Sequence, residues 1–131
     1  MGKTHTVLIV DDEVDFLSSV RRVLRKEPYE VVTATNGTDA LELLASRPVH
    51  LVVSDYKMPG MDGLVLLEKV RLSSPCTVTL LLTALSDVGA LTPPAARAGV
   101  SEILFKPIDV EHFKLVLRRA LEGHGRVGAP R

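Results

Sequence analysis

The chain has 131 residues, one domain's length, and 46% of them are apolar, enough for a single core without staples and too many for intrinsic disorder. Sixteen Lys and Arg balance sixteen Asp and Glu, which excludes a nucleic-acid binder that works through bulk positive charge. Cys76 alone cannot form an intramolecular disulfide, and one cysteine with four scattered histidines fits no familiar zinc spacing, so the setting reads as reducing and cytoplasmic. The run Val7-Leu8-Ile9-Val10, ended by Asp11-Asp12-Glu13, predicts a strand buried on both faces with acids just past its C-terminal end. Neither it nor any other apolar run approaches the roughly 20 residues of a membrane span. From Val14 to Arg25, Val14, Leu17, Val20 and Leu24 recur every three to four residues and predict an amphipathic helix. Tyr29 to Ala34 reads as a strand, Asn36-Gly37 as a turn, and Thr38 to Ala45 as a helix that Arg47-Pro48 ends.

The alternation repeats with a strand at Leu51 to Ser54, a loop from Asp55 to Gly63, and a helix through Leu64, Leu67 and Val70. Thr77 to Leu82 and Ile103 to Phe105 are the fourth and fifth strands, and a last helix runs from Val110 to Glu122 with Asp109 as its cap. Pro93-Pro94 lies where a fourth helix belongs, and predicts a helix starting at the prolines and running through Ala98, with a short helix or loop over 86–92. Residues 1–122 read as one domain, and Gly123 to Arg131 as a frayed tail or the start of a linker.

Strands alternating with helices imply an α/β fold, a parallel sheet covered on both faces whose right-handed crossovers bring every strand's C-terminal end to one rim. Asp11 and Asp12 follow the first strand, Asp55 the third, Thr83 the fourth and Lys106 the fifth, so all five are expected at that rim. Three converging carboxylates repel one another and call for a hard divalent cation, Mg²⁺ or Mn²⁺, with phosphate oxygens completing its shell. Lys106 and Thr83 can donate to a phosphoryl group, yet no GxxxxGK[ST] or GxGxxG is present to cradle a nucleotide. The phosphoryl group is therefore expected from another molecule, with a carboxylate as acceptor, and Asp55 at the end of the middle strand is the best placed.

The Asp11-Asp12-Glu13 opening, the run Asp55-Tyr56-Lys57-Met58-Pro59-Gly60-Met61-Asp62-Gly63, the strand end Leu82-Thr83-Ala84 and the pair Lys106-Pro107 together resemble the receiver domain of bacterial two-component response regulators, over about residues 5–122. The resemblance implies a doubly wound, flavodoxin-like sheet of order 2-1-3-4-5. It implies that Asp55 takes a phosphoryl group from a phosphohistidine on a sensor kinase or phosphotransfer protein. Asp12 would bind Mg²⁺ directly, Asp11 through a metal-bound water, and Asp55 and the backbone carbonyl of Lys57 would complete the protein ligands. Thr83 would act as the conformational trigger, Lys106 would pair with the phosphate, and the Lys106-Pro107 bond would be cis. The implied role is a phosphorelay switch and not a turnover enzyme, monomeric or weakly dimeric, acting on a downstream protein or an output domain and making no direct contact with nucleic acid or membrane.

Two features depart from the family pattern. Ile103 stands where an aromatic or His switch residue is usual, and both it and Phe105 read as core. Pro93-Pro94 disturbs the fourth helix, part of the usual signalling face. Lys57 and Leu85 occupy the two rim positions expected to tune loss of the phosphoryl group, and an apolar Leu85 predicts slow self-dephosphorylation. Arg118-Arg119 reads as a solvated helix face, and Met58 and Met61 as loop packing. The alternatives are a pseudo-receiver that binds proteins without phosphorylation, and an aspartyl-phosphate hydrolase, for which the short loops leave no substrate cap.

Overall fold

The computed structural model describes residues 5–127. Five strands, β1 (Thr6–Val10), β2 (Glu30–Ala34), β3 (Leu51–Asp55), β4 (Val78–Ala84) and β5 (Glu102–Lys106), alternate with five helices, α1 (Val14–Val23), α2 (Gly37–Ser46), α3 (Gly63–Ser73), α4 (Val88–Arg97) and α5 (Val110–Val127). All pairings are parallel and the strand order is β2-β1-β3-β4-β5, the doubly wound order expected. The reversal of strand order lies between β1 and β3, where Val10 pairs with Ser54, so the chain after each strand opens into one crevice.

Alternation along the strands divides the core between two faces. Val7, Ile9, Val53, Leu80, Leu82 and Leu104 pack on one side with Leu17 and Val20 of α1 and Phe113, Val116 and Leu117 of α5. Leu8, Val10, Val52 and Leu81 pack on the other with Leu66, Leu67 and Val70 of α3 and Leu91 and Ala95 of α4. Helix starts are fixed by side-chain caps: Asn36 accepts from the Asp39 amide at 2.8 Å, Asp62 from Val65 at 2.9 Å, and Asp109 from His112 at 3.1 Å. The Asp109 cap is the one read from the sequence.

The fourth helix differs from expectation. α4 begins at Val88, after a 3₁₀ turn over Leu85–Asp87, and continues through Pro93 and Pro94. The two missing amides would have bonded the carbonyls of Gly89 and Ala90, both exposed residues. Water can take those carbonyls, while Leu91, Ala95 and Ala98 bury the opposite stripe, so packing sustains the helix despite the prolines. α5 also runs on to Val127, past Glu122, because extending an existing helix needs no new nucleus; residues 128–131 of the expected tail lie outside the described residues.

Arg118 is not merely solvated. Its guanidinium donates from Nε and an Nη to the two carboxylate oxygens of buried Glu27 at 2.8 and 2.9 Å, joining α5 to the turn after α1. The Arg118 hydrogen bond holds the Glu27 carboxyl below its ordinary 4.5, outweighing the opposing effect of burial. A lowered acid pKa stabilises the fold above the unfolded value, and that contribution is lost as pH falls through the folded one. Arg118→Gln is therefore expected to melt below the parent at pH 7, with the gap closing below about pH 4.5; melting curves from pH 7 to 3 measure it.

Candidate functional site

At the rim, Asp11 and Asp12 follow β1 and β3 ends in Asp55, and one carboxylate oxygen from each lies within 4.8 Å of the others. Asp11 is fully buried, Asp55 is 8% exposed and Asp12 is exposed, so the cluster opens to solvent through Asp12. Lys106, the last residue of β5, reaches in from the fourth direction. Its Nζ donates to Asp11 Oδ2 at 2.7 Å and to Glu13 Oε1 at 3.2 Å, and stands 3.6 Å from Asp55 Oδ1. The other Asp11 oxygen accepts from the Glu13 amide at 2.9 Å, so both oxygens of Asp11 are engaged.

One ammonium does not neutralise this much anionic charge. Burial, and then the neighbouring Asp11 carboxylate, push the Asp55 carboxyl up to about 6 against the pull of Lys106. Burial pulls Lys106 downward, but its hydrogen bond to Asp11 and the surrounding carboxylates outweigh this and hold it above its usual value. A surplus of hard oxygen donors, without sulfur or imidazole, fits Mg²⁺.

The loop from Tyr56 to Asp62 is held close beneath Asp55. The Gly63 amide donates to the Tyr56 carbonyl at 2.9 Å, and a Cβ at Gly63 would collide with the Asp55 carbonyl oxygen. Gly60 turns the chain at φ +78°. Met58 is buried, and Met61 packs against Gly37, the loop packing read from the sequence. The Lys106-Pro107 peptide is cis, as expected.

Thr83 is buried near the end of β4, one residue after Leu82, which pairs with Asp55. Ile103 is half-buried against the α3 and α4 side of the core, as read, whereas Phe105 is 44% exposed and is not a core residue. Phe105 lies nearer the C-terminal end of the edge strand β5, one residue before Lys106 at the rim. Lys57 Nζ stands 3.6 Å from Asp87 Oδ2, and Leu85, in the same 3₁₀ turn as Asp87, is exposed. The sequence did not reveal Glu13 and Phe16 as neighbours of Lys106, though the Phe16 ring centroid lies 4.5 Å from its Nζ. Nor did it show that His5 and His50 meet edge to face at 4.9 Å.

The profile of the response regulator receiver domain matches residues 7–118. The chain belongs to that family. This receiver domain is similar to the signal receiver domain of an HD domain-containing protein from Pseudomonas fluorescens Pf-5, with 33% identity and a TM-score of 0.88 over 96% of this chain and 93% of that one. It is also 33% identical over 125 residues to the DNA-binding transcriptional regulator NtrC of Escherichia coli, covering 95% of this chain and 26% of that protein. The transcriptional regulatory protein ZraR of Klebsiella oxytoca is 32% identical over 92% of the chain and 27% of its own length. The chain thus spans about a quarter of these curated relatives. A receiver domain is a Mg²⁺-dependent phosphoacceptor in phosphorelay signalling and not a turnover enzyme, and the cluster of Asp11, Asp12 and Asp55 could hold such an ion here.

Proposed function

We propose that Asp55 accepts a phosphoryl group from a phosphohistidine on a sensor histidine kinase or a phosphotransfer protein, and that the acyl phosphate switches partner binding. The observation that carries this reading is the approach of Lys106 Nζ to within 3.6 Å of Asp55 Oδ1, inside a cluster of three carboxylates. Asp12 and Asp55, with the backbone carbonyl of Lys57, would hold Mg²⁺. Asp11 would act through a bound water, which accords with both of its oxygens being engaged already. Bound there, Mg²⁺ supplies positive charge to the transferring phosphoryl oxygens. A carboxylate oxygen of Asp55 attacks phosphorus in line with the leaving imidazole, and burial keeps competing water from the acceptor. Lys106 then donates to a phosphoryl oxygen, and the Thr83 hydroxyl offers a second donor from β4.

The receiver would span residues 1–122, its last helix running on to Val127, and act as a monomer or weak dimer. Its output would be a downstream protein or a further domain, with no direct contact to nucleic acid. No helix among the described residues is long and apolar enough to cross a membrane. Exposed Leu85, and Lys57 engaged with Asp87, support slow self-dephosphorylation, since neither positions a water as a base would.

Mg²⁺ titration tests the metal assignment. Mg²⁺ at ten times its dissociation constant is expected to stabilise the protein by about 1.4 kcal/mol, read as a rise in melting temperature. Asp12→Ala and Asp55→Asn should lose the rise. A rise of equal size in both variants would sink the assignment.

A further inference from the structure

The Phe16 side chain lies in the first turn of α1, half-buried against the core, with its ring centroid 4.5 Å from Lys106 Nζ. Phe16 and Lys106 line the same groove of about 500 Å³, walled further by Val20, Val23, Pro107 and Ile108. We propose that Phe16 is a positioning residue for Lys106, its ring face keeping the ammonium free to move from Asp11 to a phosphoryl group on Asp55. This rests on the phosphoacceptor reading above.

The distances state the problem that Phe16 solves. Nζ sits 2.7 Å from Asp11, 3.2 Å from Glu13 and 3.6 Å from Asp55, so the group it must serve is the farthest of the three. Glu13 is largely exposed and competes for the same ammonium by drawing it outward. A carboxylate holds a cation at one short distance and in one direction. An aromatic face attracts it anywhere within about 6 Å of the centroid, so Nζ can shift by roughly 1 Å toward Asp55 without leaving the ring. The ring also closes one side of the lysine's path, limiting the rotamers open to a four-carbon stem. Phe16 therefore favours neither resting nor phosphorylated position strongly, but disfavours the solvent-facing ones.

Three variants, Phe16→Leu, Phe16→Trp and Phe16→Tyr, separate this role from plain packing. In the Mg²⁺-free, unphosphorylated protein, the Lys106 Hε protons are expected to show an upfield ring-current shift in NMR spectra, lost in Phe16→Leu and kept in the aromatic variants. With Mg²⁺ and acetyl phosphate, Phe16→Leu is expected to phosphorylate about two- to fivefold more slowly than the parent, with Trp and Tyr restoring the rate. A Leu variant at the parent rate, or aromatic variants as slow as Leu, would overturn the inference. A parent protein that takes no phosphoryl group at all would instead overturn the phosphoacceptor reading, and the positioning role with it.

Discussion

Gly63→Ala is expected to melt roughly 10 °C below the parent, a loss of about 3 kcal/mol from forcing a methyl into a space already filled. The methyl would meet the Asp55 carbonyl oxygen, with the Asp55 carbonyl carbon and Tyr56 Cα each at 3.0 Å. All three are backbone atoms and cannot rotate aside as a side chain would. Relief requires moving either the start of α3, which Asp62 caps, or the end of β3, which carries the acceptor. The same variant should therefore lose phosphorylation by acetyl phosphate even at temperatures where it is folded. Gly89→Ala is the control: nothing lies within 4 Å of its Cβ, and alanine in the exposed turn of α4 should raise stability by about 0.5–1 kcal/mol. Circular dichroism melts of the two variants measure both effects, and a Gly63→Ala melt at the parent temperature would contradict the packing account.

Asp55→Asn is expected to act in the opposite direction, stabilising the metal-free protein at pH 7 while abolishing its function. Asp55 ionises near pH 6 in the fold against an ordinary 3.8, because burial and the Asp11 carboxylate disfavour its charge. A raised acid pKa means that the folded state holds the proton more tightly. Its cost to stability is absent below about pH 3.8, grows as pH rises to about 6, and is complete above that. Two pKa units correspond to roughly 2.7 kcal/mol, and screening by solvent at the rim reduces the expected gain to about 1–2 kcal/mol. Chemical denaturation at pH 7.5 without divalent ions should show the gain, and the two proteins should converge near pH 3.5. Equal stability at pH 7.5 would mean that the acceptor is not held under charge repulsion.

The two Asp55 effects share a cause with what the sequence revealed best. Val7 to Val10 and Leu51 to Val53 are so uniformly apolar that only strands buried on both faces suit them, and a parallel sheet then places Asp11, Asp12, Asp55 and Lys106 at one rim. The topology does this work before any side-chain detail is needed. Long-range partners were less legible. Arg118 and Glu27 are 91 positions apart, and nothing in either residue's neighbourhood predicts that α5 lays its guanidinium over a buried carboxylate. Pro93-Pro94 argues locally for a helix starting at the prolines, but the buried stripe of Leu91, Ala95 and Ala98 sustains α4 from Val88. Phe16 is one more apolar position on α1 until β5 brings Lys106 across it.

Intact-mass measurement after incubation with Mg²⁺ and acetyl phosphate, with Asp55→Asn beside the parent, decides whether Asp55 is the phosphoryl acceptor. A gain of about 80 Da is expected in the parent, absent without Mg²⁺ and absent in Asp55→Asn. No gain under saturating donor, or an equal gain in Asp55→Asn, would contradict it: the first outcome would make the domain a pseudo-receiver, and the second would move the acceptor away from β3.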